Sequence, residues 1–99
     1  MRVLTALPLV AALFACGPVR STSSLIAADV ELEAARAAGA QKTAVYEYTA
    51  AETYLHEARV AAGYAQYQTS EEYADKAQKL ALEAKKKALA ATGKPVEAQ

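Results

Sequence analysis

The stretch TSEEYADKAQKLALEAKKKALAA, Thr69 to Ala91, decides the fold. Its alanines at 74, 77, 81, 84, 88 and 91 recur at spacings of three and four. That period places all six on one face of an α-helix, because 3.6 residues complete a turn. Leu80 widens the stripe, and the remaining faces carry Glu, Asp, Lys and Gln. The segment therefore predicts a helix over about 70–91 with a single apolar side. Glu71, Glu72 and Asp75 stand at its start and Lys85, Lys86 and Lys87 near its end, the order that complements the helix dipole. Thr69 and Glu72 have capping-box spacing, which predicts the point where the helix begins.

Upstream, the stretch from Gly63 to Ser70 predicts a turn, with Gly63 just past the end of a preceding helix. Ala44, Tyr48, Ala51, Leu55, Ala58 and Ala62 are again spaced four and three, predicting that helix over about 43–62. Folding the two helices about Gln66 opposes Ala58 with Ala74, Leu55 with Ala77, Ala51 with Ala81, Tyr48 with Ala84 and Ala44 with Ala88. Large residues then meet alanines, so facing layers interdigitate. The same register sets Glu47 opposite Lys85 and brings Glu52 and Glu57 within one position of Lys79 and Lys76. Glu57 also falls opposite Asp75, which is unfavourable. Exposed pairs are worth about 0–1 kcal/mol each, so they select a register rather than hold the fold.

A shorter helix is predicted over about 25–38 from Leu25, Ala28, Leu32 and Ala35. It either docks on the hairpin or runs on past Gly39 as one long helix. No alternating run predicts a strand. The expected fold class is all-α: an antiparallel helical hairpin (about 43–62 and 70–91) preceded by a shorter helix (about 25–38). The domain spans 25–92, with 93–99 as a C-terminal tail. A buried alanine methyl contributes about 0.8 kcal/mol where a leucine contributes about 1.5–3, so the core is thin and gains from packing on something else.

The chain opens MRVLTALPLVAALFAC. Arg2 precedes an apolar run from Val3 to Ala15 that is uncharged, of signal-peptide size, and short of the ~20 residues a spanning helix needs. Leu13, Phe14, Ala15 and Cys16 resemble the lipobox of bacterial lipoproteins, although Phe14 is bulkier than the residue usual there. The resemblance implies cleavage between Ala15 and Cys16, with acyl chains on Cys16. Two or three chains anchor firmly, since each buried methylene contributes about 0.8 kcal/mol. Gly17 follows the cysteine where an aspartate would imply retention in the inner membrane. By that analogy the address is the outer membrane, periplasmic face. Residues 1–15 then form the signal peptide and 16–24, ending GPVRSTSS, a lipid-anchored flexible tether.

Composition narrows the function. Without Arg2 the eleven Lys and Arg fall to ten against eleven Asp and Glu, so nucleic acid is not an expected partner. Cys16 is the only cysteine and His56 the only histidine, which supports neither a nucleophile–base pair nor a zinc site. His56 and Lys85 to Lys87 are expected on solvated helix flanks, and Glu52 and Glu57 lack the selective desolvation of an acid–base pair. No phosphate loop or nucleophile elbow occurs. The expectation is no catalytic residue, no metal, and no cofactor beyond the acyl chains.

Six tyrosines fall between Tyr46 and Tyr73. Tyr48 lies in the apolar stripe and is expected in the core, its hydroxyl at the helix edge. Tyr46, Tyr54, Tyr64, Tyr67 and Tyr73 are candidate partner-binding residues, with Tyr64 and Tyr67 in the turn, because tyrosine is enriched at interfaces. Packing that closes the turn is the competing reading.

Tyr46-Glu47-Tyr48, Ala51, Tyr54-Leu55, Ala58, Gly63-Tyr64, Tyr73-Ala74, Ala77 and Ala81 together resemble small bacterial lipoproteins that carry an Ala-rich helical domain of unknown function. The arrangement is also similar to one tetratricopeptide-type helix pair without that repeat's Trp and Pro. Val45 stands where members of the family often have proline. The resemblance covers about residues 25–91 and implies an envelope component with a protein partner, an OmpA-like envelope protein being the candidate. The expected function is a lipid-anchored structural or adaptor protein. A pilotin-like assembly factor and a peptidoglycan-facing module are the alternatives, and self-association through the remaining alanine faces is a further expectation.

Overall fold

The structure, a computed structural model, describes the backbone of residues 2–93 and the side chains of residues 18–93. It comprises α1 (Arg2–Ala37), α2 (Ala40–Thr43), α3 (Val45–Gly63) and α4 (Tyr67–Ala91), with no strand among the described residues. The expected all-α hairpin is formed by α3 and α4. Tyr48, Ala51, Leu55 and Ala58 are buried on α3, and Ala74, Ala77, Ala81, Ala84 and Ala88 on α4, with Ala44 just ahead of α3. Ala61 rather than Ala62 ends the buried stripe of α3, and Ala91 is exposed.

Two lysines fall otherwise than the simple register predicted. Lys87, not Lys85, donates to Glu47 Oε1, at 3.2 Å. Lys85 turns the other way, its Nζ lying 3.3 Å from Glu31 Oε2 on α1. Residues two apart on a helix point about 200° apart, so Lys85 and Lys87 serve opposite flanks of α4. Helix α4 is the middle element, packing along both α1 and α3, which touch each other far less.

Cross-helix bonds give the directions. Arg20 pairs with Glu71 and Glu31 with Lys85, so α1 and α4 run parallel. Arg59 pairs with Asp29, and Arg36 Nε donates to the Tyr48 hydroxyl, so α1 and α3 run antiparallel. The first helix therefore docks on the hairpin and does not continue past Gly39. There the backbone turns left-handed, at φ +85°, which glycine adopts without strain. Ala44, at φ −138°, separates the short α2 from α3.

Two boundaries are corrected. The helix expected at about 25–38 extends further upstream, and Pro18 to Ser24, read as part of the flexible tether, are helical. Ser21 stands four residues before Leu25 and prolongs the stripe Leu25, Ala28, Leu32, Ala35. Its hydroxyl donates to Ser70 Oγ at 2.8 Å, and both residues are buried. Serine, threonine and proline have low intrinsic helix propensity, but a tertiary contact that satisfies two buried hydroxyls outweighs it. The start of α4 differs as well. Thr69 and Glu72 form no capping box; the helix begins at Tyr67, after Gln66 as an N-cap without a side-chain bond.

The reason lies in the turn. Ala65 N–H donates to Ala62 O (3.0 Å) and Gln66 N–H to Ala61 O (2.8 Å), with Ala65 left-handed at φ 59°. This paired closure is a Schellman motif. The left-handed position expected at Gly63 is thus filled by an alanine two residues later, and Gly63 is still helical. The closure hands the chain to α4 at Tyr67, ahead of the Thr69 cap. The expected tail after Gly93 lies outside the described residues.

Candidate functional site

The five candidate tyrosines do not form one surface; the fold distributes them along the bundle. Tyr46, in the first turn of α3, is 76% exposed. Tyr54 and Tyr73 meet across the α3–α4 interface, ring centroids 5.9 Å apart and planes 29° apart. Lys76 Nζ lies 5.6 Å and 5.8 Å from these two centroids, within cation–π range of both. That trio uses its aromatic faces internally and pins the hairpin. Tyr64, the C-cap of α3, is also 76% exposed, and Tyr67 is half-buried in the first turn of α4 rather than in the turn itself. Tyr48 is buried, as expected, and its hydroxyl accepts from Arg36 Nε at 2.9 Å.

The outward faces of α3 and α4 differ in chemistry. On α4, Glu72, Asp75, Lys76, Lys79, Glu83 and Lys86 are exposed and charged, a solvated face. On α3, Val45, Tyr46, Thr49 and Thr53 are exposed and uncharged. With Ala50 and Tyr54 they line a shallow open depression. Helical spacing explains it: 45, 49 and 53 repeat every four residues on the side opposite the buried stripe. Glu47 flanks this face. Its carboxyl is held below the usual carboxylate range by its own backbone N–H in the first turn of α3, against the opposing effect of burial, with further help from Lys87.

The other candidates fall as follows. His56, Glu52 and Glu57 are exposed. Of the expected solvated run, Lys86 is exposed, Lys87 bonds Glu47, and Lys85 is only 17% exposed beside Glu31. No group of acidic, histidine or cysteine side chains suited to a metal occurs among the described residues, and no helix among them is long and apolar enough to cross a membrane. Ala15 and Cys16, the expected cleavage and acylation point, lie outside the described side chains.

Two features escaped sequence reasoning. One is the Ser21–Ser70 bond, whose signal was the continuation of the four–three spacing back to residue 21. The other is a row of exposed β-branched residues on α1, Val19, Ile26 and Val30, spaced seven and four. Comparison with protein-family models, with curated proteins and with solved structures finds no match to this chain.

Proposed function

We propose that the protein is a lipid-anchored structural or adaptor component of the bacterial envelope, held at the periplasmic face of the outer membrane through Cys16, presenting its helical hairpin to a protein partner and performing no catalysis. The observation that carries the reading is the uncharged patch of Val45, Tyr46, Thr49 and Thr53 on the N-terminal half of the outward face of α3, ahead of the exposed Glu57. Val45 and Tyr46 stand 57% and 76% exposed there, while the equivalent face of α4 is charged throughout its middle. Exposed tyrosine beside apolar and hydroxyl side chains is interface chemistry, offering large contact area at small entropic cost. The alanine-lined core supports the same view, because a thin core gains from further burial.

The position of Pro18 supports the anchor. Cleavage before Cys16 leaves Pro18 in the first turn of α1, where its missing N–H is not needed by the helix. An interior proline would remove a hydrogen bond and cost about 3 kcal/mol.

In-cell photo-crosslinking tests the partner. A photoreactive residue at Tyr46 is expected to give one dominant adduct, identified by mass spectrometry, and the same residue at Lys79 on the charged face of α4 none. Thr49→Asp should abolish the Tyr46 adduct while leaving helicity unchanged. Equal labelling from both positions, or an adduct indifferent to Thr49→Asp, would remove α3 as the binding face.

A further inference from the structure

The bonds between α1 and α4 fix which end of the bundle stands nearest the anchor. Ser21 and Ser70 are at one level, and the two helices run parallel. Counting back three residues on each puts Pro18 level with Tyr67. Cys16 is two residues further, about 3 Å of helix rise. The segment read from sequence as a flexible leash is therefore helix, and the docked bundle begins almost at the cysteine. The α3–α4 turn, with Tyr64 exposed and Tyr67 half-buried, closes that same end. Val19 (61% exposed) and Val60 (40% exposed) flank it. Arg20, the cation nearest the end, is engaged with Glu71 at 2.8 Å.

We propose that this end, formed by Val19, Val60, Tyr64 and Tyr67, rests on the lipid bilayer surface, so that the bundle stands upright on its anchor with Tyr46 held away from the membrane. The inference rests on the reading of Cys16 as the acylated residue and goes beyond it, since acylation on a flexible leash would orient nothing. Tyrosine suits this position because its ring sits in the interfacial layer with the hydroxyl toward water. Tyr46 and Tyr64 are separated by about 27 Å of rise along α3, more than the depth of a headgroup layer. The tyrosines consequently divide by role: the membrane-proximal pair seats the bundle, and the distal Tyr46 face is presented to a partner.

The chain has no tryptophan, so single substitutions report cleanly. Full-length chains carrying Tyr64→Trp, Tyr46→Trp or Val30→Trp are expressed in bacteria, recovered from membranes and reconstituted in phosphatidylethanolamine–phosphatidylglycerol vesicles containing brominated lipid. Mass spectrometry of the same preparations reads the state of Cys16. The expected result is a blue-shifted Tyr64→Trp emission that loses most of its intensity to bromine, with Tyr46→Trp and Val30→Trp nearly unquenched. An unquenched Tyr64→Trp on acylated protein overturns the proposal and leaves the anchor intact. Quenching of Val30→Trp equal to that at position 64 also overturns it, in favour of α1 lying flat on the bilayer. An unmodified Cys16 fails the anchor reading instead. The orientation is then judged by the same quenching pattern on protein coupled through the Cys16 thiol to a maleimide lipid.

Discussion

Exchanging Gly63 and Ala65, as the double variant Gly63→Ala/Ala65→Gly, is expected to stabilise the protein. Ala65 holds the left-handed position of the turn at φ 59°, where an L-residue with a Cβ is disfavoured by about 1–2 kcal/mol. Gly63 is helical, and a Cβ added there meets nothing within 4 Å. The exchange leaves composition unchanged, so the extra freedom that glycine gives the unfolded chain nearly cancels between the two variants. What remains is relief of the folded-state strain, about 1–2 kcal/mol. For a domain this small each kcal/mol raises the melting temperature by about 4–8 °C. Far-UV circular dichroism during heating and urea titration of both chains measures it, with an unchanged denaturant slope showing that the unfolded state is the same. The sign is decisive. Were the helix to end with Gly63 left-handed, as sequence spacing alone predicts, the exchange would put alanine into that position and lower the midpoint by a similar amount. A lower or unmoved midpoint would refute the turn described above.

Leu55 is the largest fully buried side chain, in a core whose buried α4 members are alanines apart from Ser70, so Leu55→Ala should cost about 2–5 kcal/mol in urea unfolding. That is a large share of the roughly 4–11 kcal/mol expected for a domain of this length. Ser21→Ala and Ser70→Ala should each destabilise by about 1–3 kcal/mol by leaving a buried hydroxyl without its partner, whereas the double variant should recover much of that loss, a coupling read from the double-mutant cycle. Amide exchange across Pro18 to Ser24 should quicken in either single variant, and unchanged exchange would mean that α1 is held there by something else. Because the folded-state pKa of Glu47 lies below its ordinary value of 4.5, the stability it supplies is present above that value and is lost as pH falls through the lowered folded value. Acid titration of wild type against Glu47→Gln should therefore converge at low pH, and curves still separated by the same margin there would discard the contribution.

Periodicity along the chain was enough to place the three apolar stripes. Apolar residues spaced three and four across 28–35, 44–58 and 74–88 permit one helical face each, and those faces are the ones buried. It also marked Tyr48 for the core, because its place in the stripe settles its side regardless of neighbours. The proposed anchor at Cys16 rests on local sequence for a different reason, since processing signals are read from the chain before any fold exists. Tertiary structure alone decided where the helices begin and end. Ser21 lies in a Pro-, Ser- and Thr-rich segment with low propensity, and only Ser70, 49 positions away, gives its hydroxyl a buried partner. Ala65 is an unfavourable residue for a left-handed turn, and only the two packed helices it joins hold it there. The sorting of the tyrosines depended on the same long-range contacts. Spacing along one helix places a residue on a face, but which faces meet, and which end stands beside Cys16, follow from bonds between residues far apart in the chain. Local periodicity is fixed by backbone geometry, whereas docking is set by which surfaces remain to be covered once the helices exist.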